Sequence, residues 1–298
     1  MYTSGVAPSP SSERFAMHIA PFLAPYKGQW FVIKIGGELA LDKQALAHSL
    51  GMCVGHMLEA GVRVVLVHGG GPQATALSNR LGLITQQVDG QRVTDEATME
   101  VMKMVLAGQV SSDVASAMRM AHVPALCLSG LSAGLVLAKR LGDIPSPHTP
   151  TVDLGLVGHV YHVETPLLEK LSSLGLVPVL SSLADDGQGG PLNVNADNLA
   201  AQLAKGLGAS HLFLLSNVPG VLEDVSNPQS RYPHLSGPQV AQLIASRKIY
   251  GGMLPKVEGA LLAARESRTK VHLLSLSPPA SLLEALKNPG SVGTTFEA

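Results

Sequence analysis

Short apolar runs alternate with longer amphipathic stretches along most of the chain. The first run, WFVIKI at 30–35, ends at a glycine pair, and the second, at 62–67, ends before the three glycines of HGGG. Apolar runs of this length bounded by turn residues predict buried strands. Between them, residues 41–61 carry apolar residues at helical spacing, and a second helical pattern follows the three glycines.

The same alternation continues to the end of the chain. Further strands are predicted at 125–130, 151–163, 176–183, 211–218 and 270–275. Helices are predicted over 14–26, 95–107, 197–207, 237–247, 256–266 and 280–287. Strands that alternate with helices favour an α/β fold in which a mostly parallel central sheet is covered by helices on both faces.

The chain divides into three predicted segments. Residues 1–29 read as a flexible Ser/Pro-rich start followed by the N-terminal helix, which Pro21 interrupts. The loop DDGQGGP at 185–191 is the best candidate for a boundary between two lobes, 30–190 and 191–298.

Composition removes several function classes. The 298 residues are 46% hydrophobic with a formal net charge of -1, so nothing predicts long-range attraction to nucleic acid or to an anionic membrane. Cys53 and Cys127 lie in apolar surroundings without metal-ligand spacing, which indicates reduced buried thiols. No apolar run is long enough to span a bilayer, and the N-terminus lacks the pattern of a secretion signal. We therefore expect a cytoplasmic protein.

Two glycine turns point to an anion site. KIGG occupies 34–37 and HGGG occupies 68–71, each directly after a predicted strand. In a parallel sheet both turns lie at the carboxyl edge, where backbone N–H groups of glycines approach a bound anion beside a helix N-terminus. No lysine follows HGGG as it would in a P-loop, and Lys34 at the end of the first strand supplies the positive charge instead. His68 is interpreted as a packing or hydrogen-bonding residue rather than a base.

Two later segments bring further charges. In GGMLPK, at 251–256, Lys256 stands at the opening of a predicted helix. In NVNAD, at 193–197, two amides and the carboxylate of Asp197 stand before another helix. Asp197 is placed to hold both lysine ammonium groups by charge-assisted hydrogen bonds.

Together these segments resemble the amino acid kinase family, and among its members they are most similar to the N-acetylglutamate kinases. The resemblance runs from about residue 30 to 293 in the order of the family. The segments that carry it are KIGGE, VLVHGGGPQ, GQRVTDEATMEVMKMVLAGQV, LSG, DLGLVGHV, PVLSSL, NVNADNLAAQLA, LLSNVPGVL and GGMLPKVEGAL. It implies a three-layer αβα sandwich of two lobes, 30–190 for the acyl amino acid and 191–298 for the nucleotide.

The resemblance also implies the reaction and the residues that serve it. The γ-phosphoryl group of ATP would pass to the γ-carboxylate of N-acetyl-L-glutamate, a step of arginine biosynthesis, with Mg²⁺ held mainly by the nucleotide phosphates. The residues implied in catalysis are Lys34, Lys256 and Asp197. Those implied in phosphate binding are Gly36, Gly37, Gly69 and Gly70. Those implied in substrate binding are Arg92, Asn193 and Asn195, and those implied in nucleotide binding are Ser216, Asn217, Gly220, Gly252 and Met253. No protein metal site is expected.

Assembly and regulation follow from the resemblance as well. The methionine-rich stretch 98–108 carries an apolar stripe that is either core or subunit interface, and the family pairs through this helix into homodimers. Members that arginine inhibits form hexamers through an N-terminal helix, for which 13–26 is the candidate. Pro21-Phe22 and SPPASLLE at 277–284 depart from the inhibitor pocket of those members, so a hexamer is compatible with the sequence and arginine inhibition is not expected.

Three other functions remain open at this stage. Ser216-Asn217, in place of the family's Thr-Asp, is similar to kinases that phosphorylate aminoadipate on a carrier protein. A catalytically silent sensor would be expected to lack one of the lysines or Asp197, and all three are present. A dinucleotide-binding oxidoreductase would bind its cofactor through the G-x-G-x-x-A pattern at 69–74 and Asp89. That hypothesis does not explain the segments KIGG, NVNAD and GGMLPK. With the chain ending at 298, we expect a kinase without a fused acetyltransferase domain.

Overall fold

A computed structural model describes residues 21–88, 91–144, 152–249, 253–267 and 269–297. The strands in chain order are β1 (Trp30–Ile35), β2 (Arg63–His68), β3 (Gln87–Val88), β4 (Gln91–Arg92), β5 (Ala125–Leu128), β6 (Val136–Arg140), β7 (Asp143–Ile144), β8 (Val152–Asp153), β9 (Val157–Val163), β10 (Val177–Ser181), β11 (Leu183–Asp185), β12 (Pro191–Val194), β13 (His211–Leu215), β14 (His234–Ser236), β15 (Lys270–Leu274) and β16 (Thr294–Glu297).

Eight strands form the central sheet in the order β14-β16-β15-β13-β1-β2-β10-β5. All neighbouring pairs are parallel except β15 and β16, which run antiparallel. Every residue of β1 is buried, and its side chains alternate between two cores: Phe31 and Ile33 pack on one face of the sheet, Val32 on the other. Because both faces are covered, the central strands are apolar throughout rather than alternating. The predicted α/β sandwich with a mostly parallel sheet is confirmed.

Helices cover the two faces. In chain order they are α1 (Lys43–Leu46), α2 (Met52–Glu59), α3 (Gly71–Arg80), α4 (Glu96–Met102), α5 (Ser111–Met120), α6 (Thr165–Ser173), α7 (Ala196–Leu207), α8 (Gly237–Ala245), α9 (Leu254–Ser267) and α10 (Ser281–Lys287). The best matched is α7, where Asn195 caps the start and Gly208, with φ of 58°, ends the helix in the left-handed region.

Two of the predicted helices contain π-helical segments, whose turns are wider than those of an α-helix. The helix over 41–61 is α1 and α2 joined by a π-helical turn at Ala47–Gly51. The helix predicted to end at residue 107 is wrong at its end, because α4 continues through a π-helical segment, Lys103–Val110, into α5. The apolar stripe is buried except at Met104, which is 51% exposed.

A small closed barrel lies outside the central sheet. Strands β11, β12, β9 and β6 close it, and β11 pairs antiparallel with β12. The predicted lobe boundary at 185–191 therefore coincides with the turn of a hairpin within this barrel, and the division into lobes stays a prediction. The strand predicted over 176–183 splits into β10 and β11 at Ser182. The structure also has strands that the sequence analysis did not predict, namely β3, β4, β6, β7, β12, β14 and β16.

Several predictions concern residues outside the described ranges. Of the helix over 14–26, only residues 21–26 are described, and they are helical. Asp89 and Gly252 lie outside the described residues. Both cysteines are free thiols, Cys53 buried and Cys127 half-buried. Among the helices that the structure describes, none has the length and apolarity needed to cross a bilayer.

Candidate active site

The two glycine turns meet at the carboxyl edge of the sheet. They follow β1 and β2, which pair in parallel from Trp30 to Ile35. A Cβ added to Gly37 would lie 3.1 Å from the Cα of Gly70, so the turns are in direct contact. A side chain on Gly70 would collide with Leu106, because the π-helical segment packs directly beneath the second turn. KIGG and HGGG thus lie side by side at one edge of the sheet, and their binding of a phosphate stays a prediction.

The four glycines differ in what their N–H groups do. Gly36 donates to the carbonyl of Leu215 at 3.1 Å, which ties its turn to β13, and Gly69 donates to the carbonyl of Ile35 at 3.4 Å. Within the described ranges, no hydrogen bond uses the N–H of Gly37 or Gly70. Gly70 also directly precedes α3, whose N-terminal dipole favours an anion. The groups open to a phosphate are therefore those of Gly37 and Gly70, while Gly36 and Gly69 shape the turns.

Lys34 and Asp197 form a largely buried ion pair. The Nζ of Lys34 lies 2.9 Å from Oδ1 of Asp197, and their side chains are 10% and 16% exposed. Lys34 comes from β1, and Asp197 from the first turn of α7, where Asn195 accepts hydrogen bonds from the N–H groups of Asp197 and Asn198. The capped helix start thus fixes the carboxylate that orients the lysine.

Lys256 reaches the same edge from the first turn of α9. Its Nζ donates to Oγ of Ser216 at 3.1 Å. Burial lowers the pKa of Lys256, and the charge of Lys34 lowers it further, while Asp197 and Glu38 act in the opposite direction. Among the described ion pairs Asp197 contacts Lys34 alone, so the expected hold of Asp197 on both lysines is not seen as a direct contact.

Arg92 lines a cavity that begins at the second glycine turn. The cavity has a volume of about 190 Å³ and also borders Gly69 and Asn193. Arg92 is buried, and its Nη2 donates to the carbonyl of Gly71 at 3.1 Å and to Oγ1 of Thr75 at 2.7 Å. Its Nη1 is a buried donor without a partner among the described residues. Desolvation lowers the pKa of Arg92, yet a guanidinium stays charged in proteins, so Arg92 brings a positive charge and an unpaired donor to the wall of the cavity.

Two asparagines border the same cavity in different roles. Asn193 is buried and donates from Nδ2 to Oγ1 of Thr94 at 3.1 Å. Asn195 is exposed, and its carbonyl oxygen is engaged in capping α7. Sequence reasoning missed Thr75 and Thr94, which hold Arg92 and Asn193 in place. Their only signal was closeness to HGGG and to Arg92 in the chain.

The predicted nucleotide residues follow β13 and precede α9. Ser216 is buried and accepts from Lys256, and its hydroxyl donates to Oδ1 of Asn217 at 3.3 Å. Gly220 has φ of 145°, and a Cβ there would lie 2.7 Å from Oγ1 of Thr294, so packing alone requires glycine. Met253 is half-buried against the core on the face of the sheet that α9 covers.

His68 is a structural residue here, as the sequence suggested. Its ring is fully buried, with Nε2 3.0 Å from Oγ of Ser111 and Nδ1 3.1 Å from the carbonyl oxygen of Gly69. Burial lowers the pKa of His68 to about 4. A neutral imidazole enclosed in this way supports the HGGG turn from below.

The comparison with known proteins agrees with this geometry. The sequence model of the amino acid kinase family matches residues 29–275. This chain belongs to the amino acid kinase family. The match spans β1 to the end of β15, so it includes both glycine turns, both lysines and Asp197. The dinucleotide-binding oxidoreductase hypothesis is thereby set aside, because the glycine pattern at 69–74 belongs to the kinase turn.

Individual members of the family are similar over nearly the whole chain. The chain is 43% identical over 267 residues to an acetylglutamate kinase of Sorangium cellulosum, covering 89% of this chain and 93% of the relative. It is 35% identical over 281 residues to an acetylglutamate kinase of Methanocaldococcus jannaschii, covering 93% of each. The crystal structure of a carbamate kinase from Giardia lamblia has the same fold with a TM-score of 0.63 at 19% identity, over 91% of this chain and 98% of that one.

Proposed function

We propose that this family member transfers the γ-phosphoryl group of ATP to the γ-carboxylate of N-acetyl-L-glutamate, which yields N-acetyl-L-glutamyl 5-phosphate for arginine biosynthesis. The observation that carries the proposal is the buried Arg92, which keeps an unpaired Nη1 and lines a cavity that also borders Gly69. A carboxylate held by Arg92 therefore lies beside the turns that bind a phosphoryl group. The names of the relatives support the choice of substrate.

The ends of the substrate have separate partners. Gly71 and Thr75 accept from Nη2 and hold the guanidinium of Arg92 in one plane, which leaves the N–H groups of Nη1 for the α-carboxylate. Asn193 presents its amide on the same cavity. With the α-carboxylate at Arg92, the side chain of an acylated glutamate extends toward Gly70, where its γ-carboxylate attacks the phosphoryl group.

Charge compensation comes from the two lysines and the glycine turns. Phosphoryl transfer spreads negative charge over three equatorial oxygens and depends mainly on positioning and electrostatic stabilisation. Lys34 and Lys256 supply fixed positive charge, and the N–H groups of Gly37 and Gly70 supply donors. A carboxylate nucleophile is already ionised near neutral pH, so the reaction needs no general base.

ATP and Mg²⁺ fit this donor set. The groups that face the turns are ammonium and N–H donors, which suit phosphate oxygens, and Asp197 is engaged by Lys34. No group of three potential metal-ligating side chains occurs among the described residues. Mg²⁺ bound to the phosphates would neutralise charge between the β- and γ-phosphates.

The proposal is tested by trapping the acyl phosphate with hydroxylamine as a hydroxamate. N-acetyl-L-glutamate, free L-glutamate and carrier-linked aminoadipate are assayed in parallel with ATP and Mg²⁺. Hydroxamate from N-acetyl-L-glutamate alone is expected. Product only from the carrier-linked substrate would replace the proposed substrate, and no product from any of the three would favour the silent sensor.

Other features of the assignment remain predictions. We place the acyl amino acid in the lobe 30–190 and the nucleotide in the lobe 191–298, with Ser216, Asn217 and Met253 on the nucleotide side. We likewise propose a cytoplasmic enzyme that assembles as a homodimer, with a hexamer depending on the N-terminal helix. Size-exclusion chromatography with light scattering measures the assembly directly.

A further inference from the structure

A glutamine outside the predicted site joins the two glycine turns. Gln73 is the third residue of α3 and is only 5% exposed. Its Nε2 donates to the carbonyl oxygen of Gly37 at 2.6 Å. Since α3 begins directly after HGGG, this bond runs from the helix behind the second turn to the backbone of the first.

The orientation of the Gln73 amide is set by its partner. A carbonyl oxygen can only accept, so the NH₂ end of the amide must face Gly37. The other end, Oε1, is then a buried acceptor with no partner in the described part of the chain. It lies 3.0 Å from where a Cβ on Gly37 would stand, directly against the turn.

A buried acceptor without a partner destabilises a fold. An apolar side chain of similar length would fill the same space without that penalty. The glutamine is thus poorly suited to a purely structural role, and the feature that it does serve is its single bond to the phosphate turn.

The first turn of α3 therefore contacts both halves of the site. On one side, Gly71 and Thr75 accept from Arg92, which faces the substrate cavity. On the other side, Gln73 holds Gly37, whose N–H is open to a ligand. The distance between the carboxylate-binding group and the first phosphate-binding turn is set through one short stretch of helix.

We propose that Gln73 is a positioning residue for phosphoryl transfer, which holds the Gly37 turn at the place where it contacts the γ-phosphoryl group of ATP. The expected effect on kcat rests on the proposed function. The expected effect on nucleotide affinity does not, because it is measured with ATP and ADP alone. ADP lacks the phosphoryl group that the turn holds, so the two nucleotides respond differently to loss of the bond.

The test compares Gln73→Met with the wild-type enzyme. Methionine keeps the length of the side chain and removes both polar ends. We expect kcat to fall about tenfold or more, because a small misplacement of a reacting group has a large effect on rate. The KM for N-acetyl-L-glutamate is expected to change less than about threefold, because Arg92 keeps its contacts. The Tm is expected to stay equal or rise, because the unpaired acceptor is gone.

Calorimetric titration with ATP and with ADP gives the second readout. Gln73→Met is expected to bind ATP about fivefold more weakly and to leave ADP affinity nearly unchanged, since one hydrogen bond has about this effect. If the wild type binds ATP but forms no acyl phosphate from N-acetyl-L-glutamate, the proposed substrate is wrong. The calorimetric comparison of ATP with ADP still tests the role of Gln73 in that case.

The matched control is Thr75→Val, which removes the hydroxyl partner of Arg92 from the same helical turn. It should raise the KM for N-acetyl-L-glutamate with little change in kcat, the reverse of the pattern for Gln73→Met. Gln73→Glu, which keeps the length but loses the donor, should repeat the loss of kcat. Near-normal kcat in both glutamine variants, or an equal loss of ATP and ADP affinity together with a lower Tm, would overturn the proposal.

Discussion

Two buried polar clusters of this protein are built in opposite ways. At the sheet edge, Arg92 and Gln73 each keep a buried polar atom without a partner. Deep in the sheet, Nδ1 of His211 lies 3.0 Å from Nε2 of His272, and Nδ1 of His272 lies 3.2 Å from Oγ1 of Thr295. In the described part of the chain, no side-chain atom of the histidine cluster is buried without a partner.

The difference separates a binding site from a structural network. Polar groups in a protein interior are normally paired, so a gap in the pairing requires an explanation. Among the described residues, the unpaired buried atoms gather around one helix: Gln73 and Ser78 belong to α3, and Arg92 donates to it. The histidine cluster instead closes on itself across β13, β15 and β16, with the two rings stacked at 5.2 Å. The unpaired donor of Arg92 belongs to a residue that lines a cavity and points to a ligand there, whereas the histidine cluster is complete and stabilises the sheet.

The largest effect is expected from removing the charges of the incomplete cluster. Lys34→Ala and Lys256→Ala should each lower kcat about 10²- to 10³-fold, the loss typical of one electrostatic stabiliser. The hydroxamate assay measures the rate, and circular dichroism shows whether the fold survives. Lys43→Ala is the control, because Lys43 is about half-exposed and pairs with Asp113 of α5 rather than with a residue of the site. Near-normal turnover in either site variant would contradict the assignment.

The next effect concerns the unpaired guanidinium. Arg92→Lys keeps the charge but loses the guanidinium plane that Gly71 and Thr75 hold and the N–H groups of Nη1, so the KM for N-acetyl-L-glutamate should rise roughly 10- to 100-fold. The effect on kcat should be smaller, because the phosphate turns remain intact. Arg119→Lys, at an exposed position of α5, is the control and should leave both constants unchanged. An unchanged KM in Arg92→Lys would mean that the unpaired Nη1 does not face the substrate.

The histidine cluster predicts an effect on stability rather than on rate. Burial lowers the pKa of His211 to about 4 and the pKa of His272 to about 3, where the charge of His211 adds to the effect. In the unfolded chain both titrate near 6.5, so below that pH the unfolded state binds more protons than the folded state. The free energy of unfolding should therefore decrease as the pH falls from about 6.5 toward 4, by up to about 1 kcal/mol per pH unit for each histidine.

Denaturant unfolding at a series of pH values measures this slope. Replacing the pair, His211→Phe with His272→Phe, should flatten the dependence over the same range, although burial also lowers the pKa of His68 and leaves a residual slope. A double variant with the full wild-type slope would show that the cluster is not the source.

The smallest effect returns to the active site. Glu38 raises the pKa of Lys256, against burial and the charge of Lys34, which lower it. Glu38→Gln should therefore shift the alkaline limb of kcat to lower pH, because Lys256 loses its proton earlier as the pH rises. The pH profile of hydroxamate formation measures the shift, and a limb that stays in place would mean that Glu38 does not influence the reacting lysine.

The sequence predicted six of the eight strands of the central sheet, and the roles of the site residues stay predictions. Uninterrupted apolar runs are sufficient for β1 and β13, since both are buried on two faces. Lys34 and the glycine turns follow from their positions at strand ends. The closure of β6, β9, β11 and β12 into a barrel was not predicted, because local pattern indicates strands and does not show which strands pair.

The finer features of the site depend on three-dimensional contacts. Neighbouring strands decide which glycine N–H groups are used within the protein. Gly36 and Gly69 donate to backbone carbonyls, and in the described ranges Gly37 and Gly70 do not. The unpaired atoms of Gln73 and Arg92 appear only when α3 is placed against β1 and β4. Asn195 could have been recognised as a helix cap from NAD before an apolar helical run. Its selection as a substrate ligand overlooked that simpler role.

The order of the strands also has a consequence for how the chain reaches its native state. Trp30 in β1 accepts a hydrogen bond from the backbone of Ser210, 180 residues later, and β1 pairs with β13 along its length. During synthesis β1, every residue of which is buried in the folded protein, therefore has one open edge until more than two thirds of the protein has left the ribosome. Contacts this distant in sequence slow folding and prolong the exposure of aggregation-prone edges. We expect refolding from denaturant to be slow and to depend on protein concentration.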